Sequence, residues 1–308
     1  MKKASNWLLD YKKDIFSQTG EDGIIEKIFK TLPVVDGWCV EFGAWDGVFL
    51  SNTANLIKNK AYSAVLIEGD FNKYVELKQN YINSKSVFPV NSFVGFSSDD
   101  NLDSILHEIP IPANFDLLSI DIDGNDYHVW KAISAYSPKV VVIEFNQTMP
   151  TEVRFVQEAN LSVSHGSSLL SLVELGKEKG YELVSVLHCN AFFVKAEYFD
   201  LFEISNNSPV NLRCSLEDIT YLFSGYDGKV IIQGGCRLPW HGVEIEQSSL
   251  QQLPKIFQQF PTQYSKTTRV LFAMYRAWKK MFVEPLVIIK KIYSRIMRFI
   301  FKVDKVVK

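Results

Sequence analysis

Two acid clusters, each following a short apolar run, are where this chain could do chemistry. One is Ser119-Ile120-Asp121-Ile122-Asp123-Gly124-Asn125-Asp126 and the other is Ile143-Glu144-Phe145-Asn146. If both runs are strands of an open sheet, the acids collect beyond their carboxyl ends, where such sheets bind ligands. Alternation along a strand then sets Asp121 and Asp123 on one side and Ile120 and Ile122 on the other. Two chemistries compete. In one, Asp121, Asp123 and Asn146, joined by Glu144, offer oxygens to Mg2+ or another hard divalent cation, which binds an acceptor hydroxyl and lowers its pKa. In the other, one carboxylate is a metal-free general base. A calcium loop is excluded, because the helix-loop-helix frame and the terminal Glu are missing. His165, in a loop before a helix, and His188, between two β-like runs, are further base candidates. Loop histidines are more often only solvated, and His241 is weaker still.

A third segment could bind a ligand. Glu41-Phe42-Gly43-Ala44-Trp45-Asp46-Gly47 follows a β-like run and leads toward a helix. Glycines there permit close backbone approach and left-handed torsions. The helix that follows would offer free N–H groups to an anion. A dinucleotide site would want G-x-G-x-x-G, and Trp45 stands where its second glycine should be, so a nicotinamide enzyme is disfavoured. The alternative is a methyl donor, S-adenosylmethionine, with its methionine carboxylate at the helix start. Glu68 follows Gly47 by 21 residues, at the end of the next β-like run, where it could accept hydrogen bonds from vicinal ribose hydroxyls. Ser92, beside Asn91, lies where an adenine edge would be read. A tight turn with no ligand is the plain alternative.

The elements that must position these residues follow from periodicity. Short β-rich runs alternate with amphipathic stretches from Asp36 to about Phe202, the pattern of a doubly wound α/β sheet. Strands are expected at Trp38 to Phe42, Ser63 to Ile67, Val87 to Asn91, Asp116 to Asp121 and Lys139 to Phe145. Val140 to Ile143 is continuously apolar, as a strand covered on both faces must be. A helix is expected from Ser168 to Lys179. The runs Tyr181 to Leu187 and Asn190 to Lys195 are separated only by His188 and Cys189, a gap that permits only an antiparallel hairpin. Five parallel strands plus that hairpin make the seven-stranded sheet of class I methyltransferases. Upstream, Ser17 or Thr19 could cap a helix carrying Ile24, Ile25, Ile28 and Phe29.

The chain has 308 residues, 47% apolar and 22% charged, with net charge −2. That composition fits one large domain with an appendage and excludes a disordered chain. The first ten residues lack a signal-peptide apolar core, so a cytoplasmic place is expected. Four cysteines without a CxxC pair suggest buried reduced thiols. Residues 266–308 carry twelve Lys or Arg against two acids, so the remaining body is acidic, which argues against a nucleic-acid partner. The expected division is 1–203 for the methyltransferase domain, 204–265 for an accessory segment packed on it, and 266–308 for a basic helical tail.

In that tail Leu271, Met274, Tyr275, Trp278 and Phe282 project to one helical face, opposite Arg269, Arg276 and Lys280. Beyond Pro285 a second helix would set Ile289, Ile292, Ile296, Phe299 and Ile300 against Lys291, Arg295, Arg298 and Lys302. No apolar run is long enough to span a bilayer. An anionic membrane surface, on its inner face, is the expected partner; packing on the domain or on a second subunit is the alternative.

From Ser17 to Lys195 the chain resembles the FkbM-like methyltransferases, on Ser17-Gln18-Thr19-Gly20-Glu21-Asp22, Glu41 to Gly47, Ser51-Asn52-Thr53, Ile67-Glu68 and Ile120 to Asp126. The resemblance implies O-methylation of a sugar or other hydroxylated product, with a glycan or small-molecule acceptor. By position it assigns Gly43, Gly47 and Glu68 to the cofactor, and Asp121 with Asp123 to the cofactor mouth or catalysis. The full cofactor set expected is Glu41, Gly43, Ala44, Trp45, Asp46, Gly47, Ser51, Asn52, Glu68, Gly69, Ser92 and Asp121. Asp121, Asp123 and His165 are the catalytic expectation, and Asp121, Asp123 and Asn146 the metal set. The rival from another class is a methyltransferase-like binding module that does not turn over.

Overall fold

A computed structural model describes residues 3–282 of the chain. The expected second tail helix lies outside them. The chain forms two units, residues 1–220 and 221–308. The expected first boundary at 203 falls inside the first of these units. Ile204, Leu212 and Ile219 are buried, the first two within the core of the first unit, so residues 204–220 belong to that unit.

The first unit runs α1 (Glu21–Thr31), β1 (Trp38–Phe42), α2 (Ala54–Lys60), β2 (Ser63–Glu68), α3 (Phe71–Asn80), β3 (Val87–Asn91), α4 (Leu102–Leu106), β4 (Leu117–Ile120), α5 (Asp126–Ala132), β5 (Val140–Glu144), α6 (Leu169–Glu178), β6 (Tyr181–Leu187), β7 (Asn190–Lys195) and α7 (Pro209–Leu212). The seven strands form one sheet in the order β3-β2-β1-β4-β5-β7-β6. β1 to β5 run parallel to one another and β7 is antiparallel to β5 and β6. This is the expected sheet, with each expected strand present to within a residue or two at its ends.

Both faces are covered, which explains why the central strands read as unbroken apolar runs. Val40, Val65, Leu118 and Val141 face one core with Trp130 and Leu172. Cys39, Leu66, Leu117 and Val142 face the other with Ile24, Ile25 and Ile28 of α1. At the amino ends of β1, β4 and β5, buried Asp116 accepts from the N–H groups of Asp36, Gly37 and Trp38 at 2.6–3.3 Å. It also pairs with buried Lys139 at 2.8 Å. This anchors the strand ends opposite the acid clusters.

α6 is capped at its start, where Ser168 Oγ accepts from the Ser171 N–H at 3.3 Å. The N-cap position of α1 is Gly20, in a left-handed conformation, and no side chain caps from that position. Ser17 Oγ instead accepts from the Asp22 N–H at 3.1 Å, and Asp22 Oδ2 reaches back to the N–H groups of Ile15, Phe16 and Ser17 at 2.7–2.9 Å. The exchange has the logic of a capping box, carried out across a loop.

Cys39 and Cys189 are buried, as expected of structural thiols, but Cys214 is exposed and Cys236 half-exposed. The second unit holds most of a two-stranded sheet of β8 (Thr220–Ser224) and β9 (Val230–Gly234), followed by α8 (Lys266–Phe282). Among the described residues no helix is long and apolar enough to cross a membrane.

Candidate active site

The turn after β1 is built by its neighbours. The Ala44 N–H donates to the Ile67 carbonyl at 3.1 Å and the Gly47 N–H to the Ala44 carbonyl at 2.7 Å. Gly43 and Gly47 sit at φ +71° and +73°, where other residues are strained. Space also demands glycine at both. A β-carbon on Gly43 would lie 1.8 Å from the Asp121 carbonyl oxygen, and one on Gly47 would lie 2.6 Å from Leu77 and 2.8 Å from Tyr81. The glycines are required first by the protein's own packing, not by a ligand. Asp46 Oδ1 closes the turn by accepting from the N–H groups of Val48 and Phe49 at 2.9 and 2.7 Å.

Glu68 holds this turn from β2. Its Oε2 accepts from the Trp45 N–H and its Oε1 from the Asp70 N–H, both at 2.7 Å. A carboxylate oxygen has two lone pairs, so each keeps one for a diol such as a ribose. Trp45 is forced to φ +50° and leaves its indole half-exposed, with the Lys73 ammonium 4.6 Å from the ring centre. Phe93, just past β3, is 76% exposed and its ring lies over Gly69, where a β-carbon would meet it at 2.4 Å. An exposed aromatic beside a diol-binding acid is suited to the flat face of a base. Sequence reading stopped at Ser92 and missed Phe93. Ser92 Oγ bonds the Phe93 carbonyl, and Asn91 Nδ2 donates to the Glu68 carbonyl at 2.8 Å, so both shape the loop that carries the ring.

A carboxylate of the chain itself lies beside the start of the next helix. Buried Glu41 accepts from Ser51 Oγ and Thr53 Oγ1 at 2.6 Å and from the Asn52 N–H at 2.8 Å, and Ser51 Oγ accepts from the Ala54 N–H at 3.0 Å. Glu41 therefore holds the segment that leads into α2, whose first N–H is met by Ser51 Oγ, and Asn52 Nδ2 donates to Ser119 Oγ at 3.1 Å. Ser51 and Asn52 stand behind the turn and turn their polar atoms to the protein. Burial pushes the Glu41 carboxyl up, against the hydrogen bonds that favour its charge.

Beyond β4 and β5 the two acid clusters meet. Carboxylate oxygens of Asp121, Asp123 and Glu144 lie within 4.8 Å of one another, and Asp121 hydrogen-bonds Glu144 side chain to side chain. Burial, then the charges of Asp126, Asp123 and Glu41, push the Asp121 carboxyl up to about 8. Burial and then the Asp121 charge raise Glu144 to about 10. Two acids this close cannot both ionise cheaply, so the pair holds a proton at neutral pH. Asp126, raised to about 6 by burial, starts α5 and holds the N–H groups of Ile122 and Gly124 at 3.0 and 2.9 Å. That grip bends the chain so that Asp123 sits at φ +55°.

In the cation set expected from sequence, the Asn146 amide already has hydrogen-bond partners. Asn146 is committed: its Nδ2 donates to the His165 carbonyl at 2.8 Å and its Oδ1 accepts from the Thr148 N–H and Oγ1 at 2.9 and 2.7 Å. Glu144, one pleat earlier, supplies the third oxygen. His165 is anchored beside Asn146 by its backbone, with its N–H on buried Gln157 Oε1 at 2.8 Å, and its side chain is exposed. His188 turns away to Asp218, with Nδ1 3.4 Å from the carboxylate. Arg213 also went unread: buried, it donates to the carbonyls of Gln147 and Met149 and so braces the loop after β5.

The N-terminal element reaches this end of the sheet. Buried Glu21 accepts from Asn190 Nδ2 at 3.1 Å, and Asn190 pairs with Glu144 across β5 and β7. A cavity of about 310 Å³ lies elsewhere, between Leu118, Trp130, Pro138, Lys179 and Tyr181, at the amino end of β5 and far from Glu144.

Residues 98–196 match the family described as methyltransferase FkbM domain. The matched stretch holds Asp121, Asp123, Glu144 and His165, while the turn after β1, Glu68 and the N-terminal element precede it. No curated protein matches the chain's sequence. Among solved structures the chain is similar to a SAM-dependent methyltransferase from Aquifex aeolicus, with TM-score 0.34 and 12% identity over 55% of this chain and 87% of that one. It is similar to the CMeT domain of the citrinin polyketide synthase, with TM-score 0.40 and 12% identity over 57% of this chain and 51% of that one. A third is magnesium protoporphyrin IX methyltransferase from Synechocystis PCC 6803 with bound SAM, with TM-score 0.34 and 10% identity over 57% and 77%.

Proposed function

The chain being FkbM-like over residues 98–196, we propose that it is an S-adenosylmethionine-dependent O-methyltransferase acting on a sugar hydroxyl of a glycan or glycolipid precursor. The observation that carries this is the abutment of Gly43 on the Asp121 backbone. It ties the turn suited to the donor to a carboxylate suited to take the acceptor's proton.

When bound, the donor supplies an electrophilic methyl group on a sulfonium. The protein's part is to grip and align. Glu68 keeps two lone pairs for the ribose hydroxyls, and Phe93 offers a face to the base. The acceptor oxygen must lie in line with the methyl carbon and the sulfur, so positioning supplies much of the acceleration. As the oxygen–carbon bond forms, the hydroxyl proton passes to the carboxylate of the Asp121–Glu144 pair, and the carbon–sulfur electrons stay with sulfur. A base whose pKa has been raised toward the working pH suits this task and contributes about 10² to 10⁴ in rate.

A second reading is favoured by the grouping of Asp121, Asp123 and Glu144 within 4.8 Å. Three carboxylates fit a hard divalent cation by donor type, which would acidify the acceptor hydroxyl. Incubation with labelled S-adenosylmethionine and a lipid-linked glycan fraction, with and without chelator, tests both. Label in glycan that survives chelation supports the base, and chelator-sensitive label supports the cation. Donor binding by calorimetry with no transfer to any fraction would leave a binding module in place of an enzyme.

A further inference from the structure

α8 (Lys266–Phe282) has two apolar sides, one of which packs on its own unit. Phe272 packs on Phe257 and Tyr264 with ring centres 5.2 and 5.3 Å apart. Tyr275 packs on Phe257 at 5.3 Å and donates its hydroxyl to the Gln252 carbonyl at 3.0 Å. That inner side fixes the helix. A second stripe recurs at three- and four-residue steps and faces outward, with Val270 60%, Met274 64% and Met281 59% exposed and Leu271 and Trp278 about half-exposed.

Charge on this helix has a single sign and lies mainly opposite that stripe. Lys266, Arg269, Arg276, Lys279 and Lys280 lie on this helix, which contains no Asp or Glu. An outward apolar stripe on a helix whose charged face is wholly cationic is what a helix lying in the plane of an anionic bilayer presents, with apolar side chains among the acyl chains and cations available to the headgroups. Among the described residues no helix can cross a membrane, so such contact would be along the surface.

We propose that α8 is an interfacial helix that docks on an anionic lipid surface through Val270, Leu271, Met274 and Met281, with Arg269, Arg276 and Lys280 at the headgroups. The charge complementarity commits the face to lipid.

The full chain is floated with vesicles of phosphatidylglycerol and phosphatidylcholine, and with vesicles of phosphatidylcholine alone. The wild type is expected to bind the anionic vesicles, to lose binding as salt rises, and to bind the neutral ones at least about tenfold more weakly. Leu271→Glu with Met274→Glu, and separately Arg276→Glu with Lys280→Glu, should each lower anionic-vesicle binding by about tenfold or more. All four positions are exposed, and unchanged circular dichroism confirms that the fold is kept. Three results would each overturn the proposal: no vesicle binding by the wild type, unchanged binding by both double variants, or a wild-type dimer that the Leu271→Glu/Met274→Glu variant abolishes without any lipid binding. No methyl-transfer reading enters the test, so its failure is separate from any failure of the proposed activity.

Discussion

Gly43 and Asp121 touch backbone to backbone: a single added carbon at Gly43 would stand 1.8 Å from the Asp121 carbonyl oxygen. The turn after β1 and the end of β4 are thereby one construction. Gly37 has a similar torsion, φ +74°, but a β-carbon there would meet nothing within 4 Å. Gly37→Ala should therefore cost only the torsional strain, about 1 kcal/mol, whereas Gly43→Ala should cost about 3 kcal/mol from strain plus collision. Urea unfolding of the two variants decides this, and equal losses would show the contact to be unimportant.

Glu68→Gln removes the charge and turns one oxygen into a donor facing an N–H of Trp45 or Asp70. Charged hydrogen bonds of this kind are worth about 1.5–3 kcal/mol. Calorimetry should show S-adenosylmethionine binding weakened by about 10- to 100-fold, and undiminished affinity would remove Glu68 from the donor site.

A base must be ionised to accept a proton, and the Asp121 carboxyl is raised to about 8. Methyl transfer at saturating substrates should rise with pH through the neutral range and level off above about pH 8. Asp123 adds a like charge that pushes Asp121 up, so Asp123→Asn should move the rising limb to lower pH. A limb that stays in place would disconnect Asp123 from the base.

The same shift has a stability consequence of fixed sign. Asp121 is raised from an ordinary 3.8 to about 8, so between those values the folded protein holds a proton that the unfolded chain has released. Ionising it costs stability as pH rises. Asn cannot ionise, so Asp121→Asn should gain stability relative to wild type as pH rises from about 5 to about 8. Methyl transfer by the same variant should fall by about 10² to 10⁴. Thermal scans at the two pH values check the first claim, and an advantage that shrinks with pH would reverse the sign.

At the other end of the strands, Asp116→Asn leaves buried Lys139 without its innermost partner at 2.8 Å. Breaking a buried pair from one side costs about 3–5 kcal/mol. Urea unfolding should show a loss of that order, and a loss under about 1 kcal/mol would mean that Asp36 alone satisfies the amine.

The sheet was legible in the sequence because its signals are local. Val140 to Ile143 announces a doubly covered strand by composition alone, and the two-residue gap at His188 and Cys189 leaves no choice but a hairpin. The acids of β4 and β5 could likewise be placed at the strand ends. What each side chain does there was decided by packing between segments far apart in the chain. Asn146 and Glu144 are both oxygen donors two residues apart, and only the fold shows that Thr148 and the His165 carbonyl occupy the first and leave the second to meet Asp121. Ser51 and Asn52 stand in a cofactor-like place, yet buried Glu41 takes their donors. In α8 the helical period shows two kinds of face, but Tyr275 turns inward to Phe257 while Met274 stays in solvent. Periodicity reports which residues share a side of one element. It carries no information about which hydrogen bonds are already spent, because those partners lie tens of residues away and are brought close only by burial of the core.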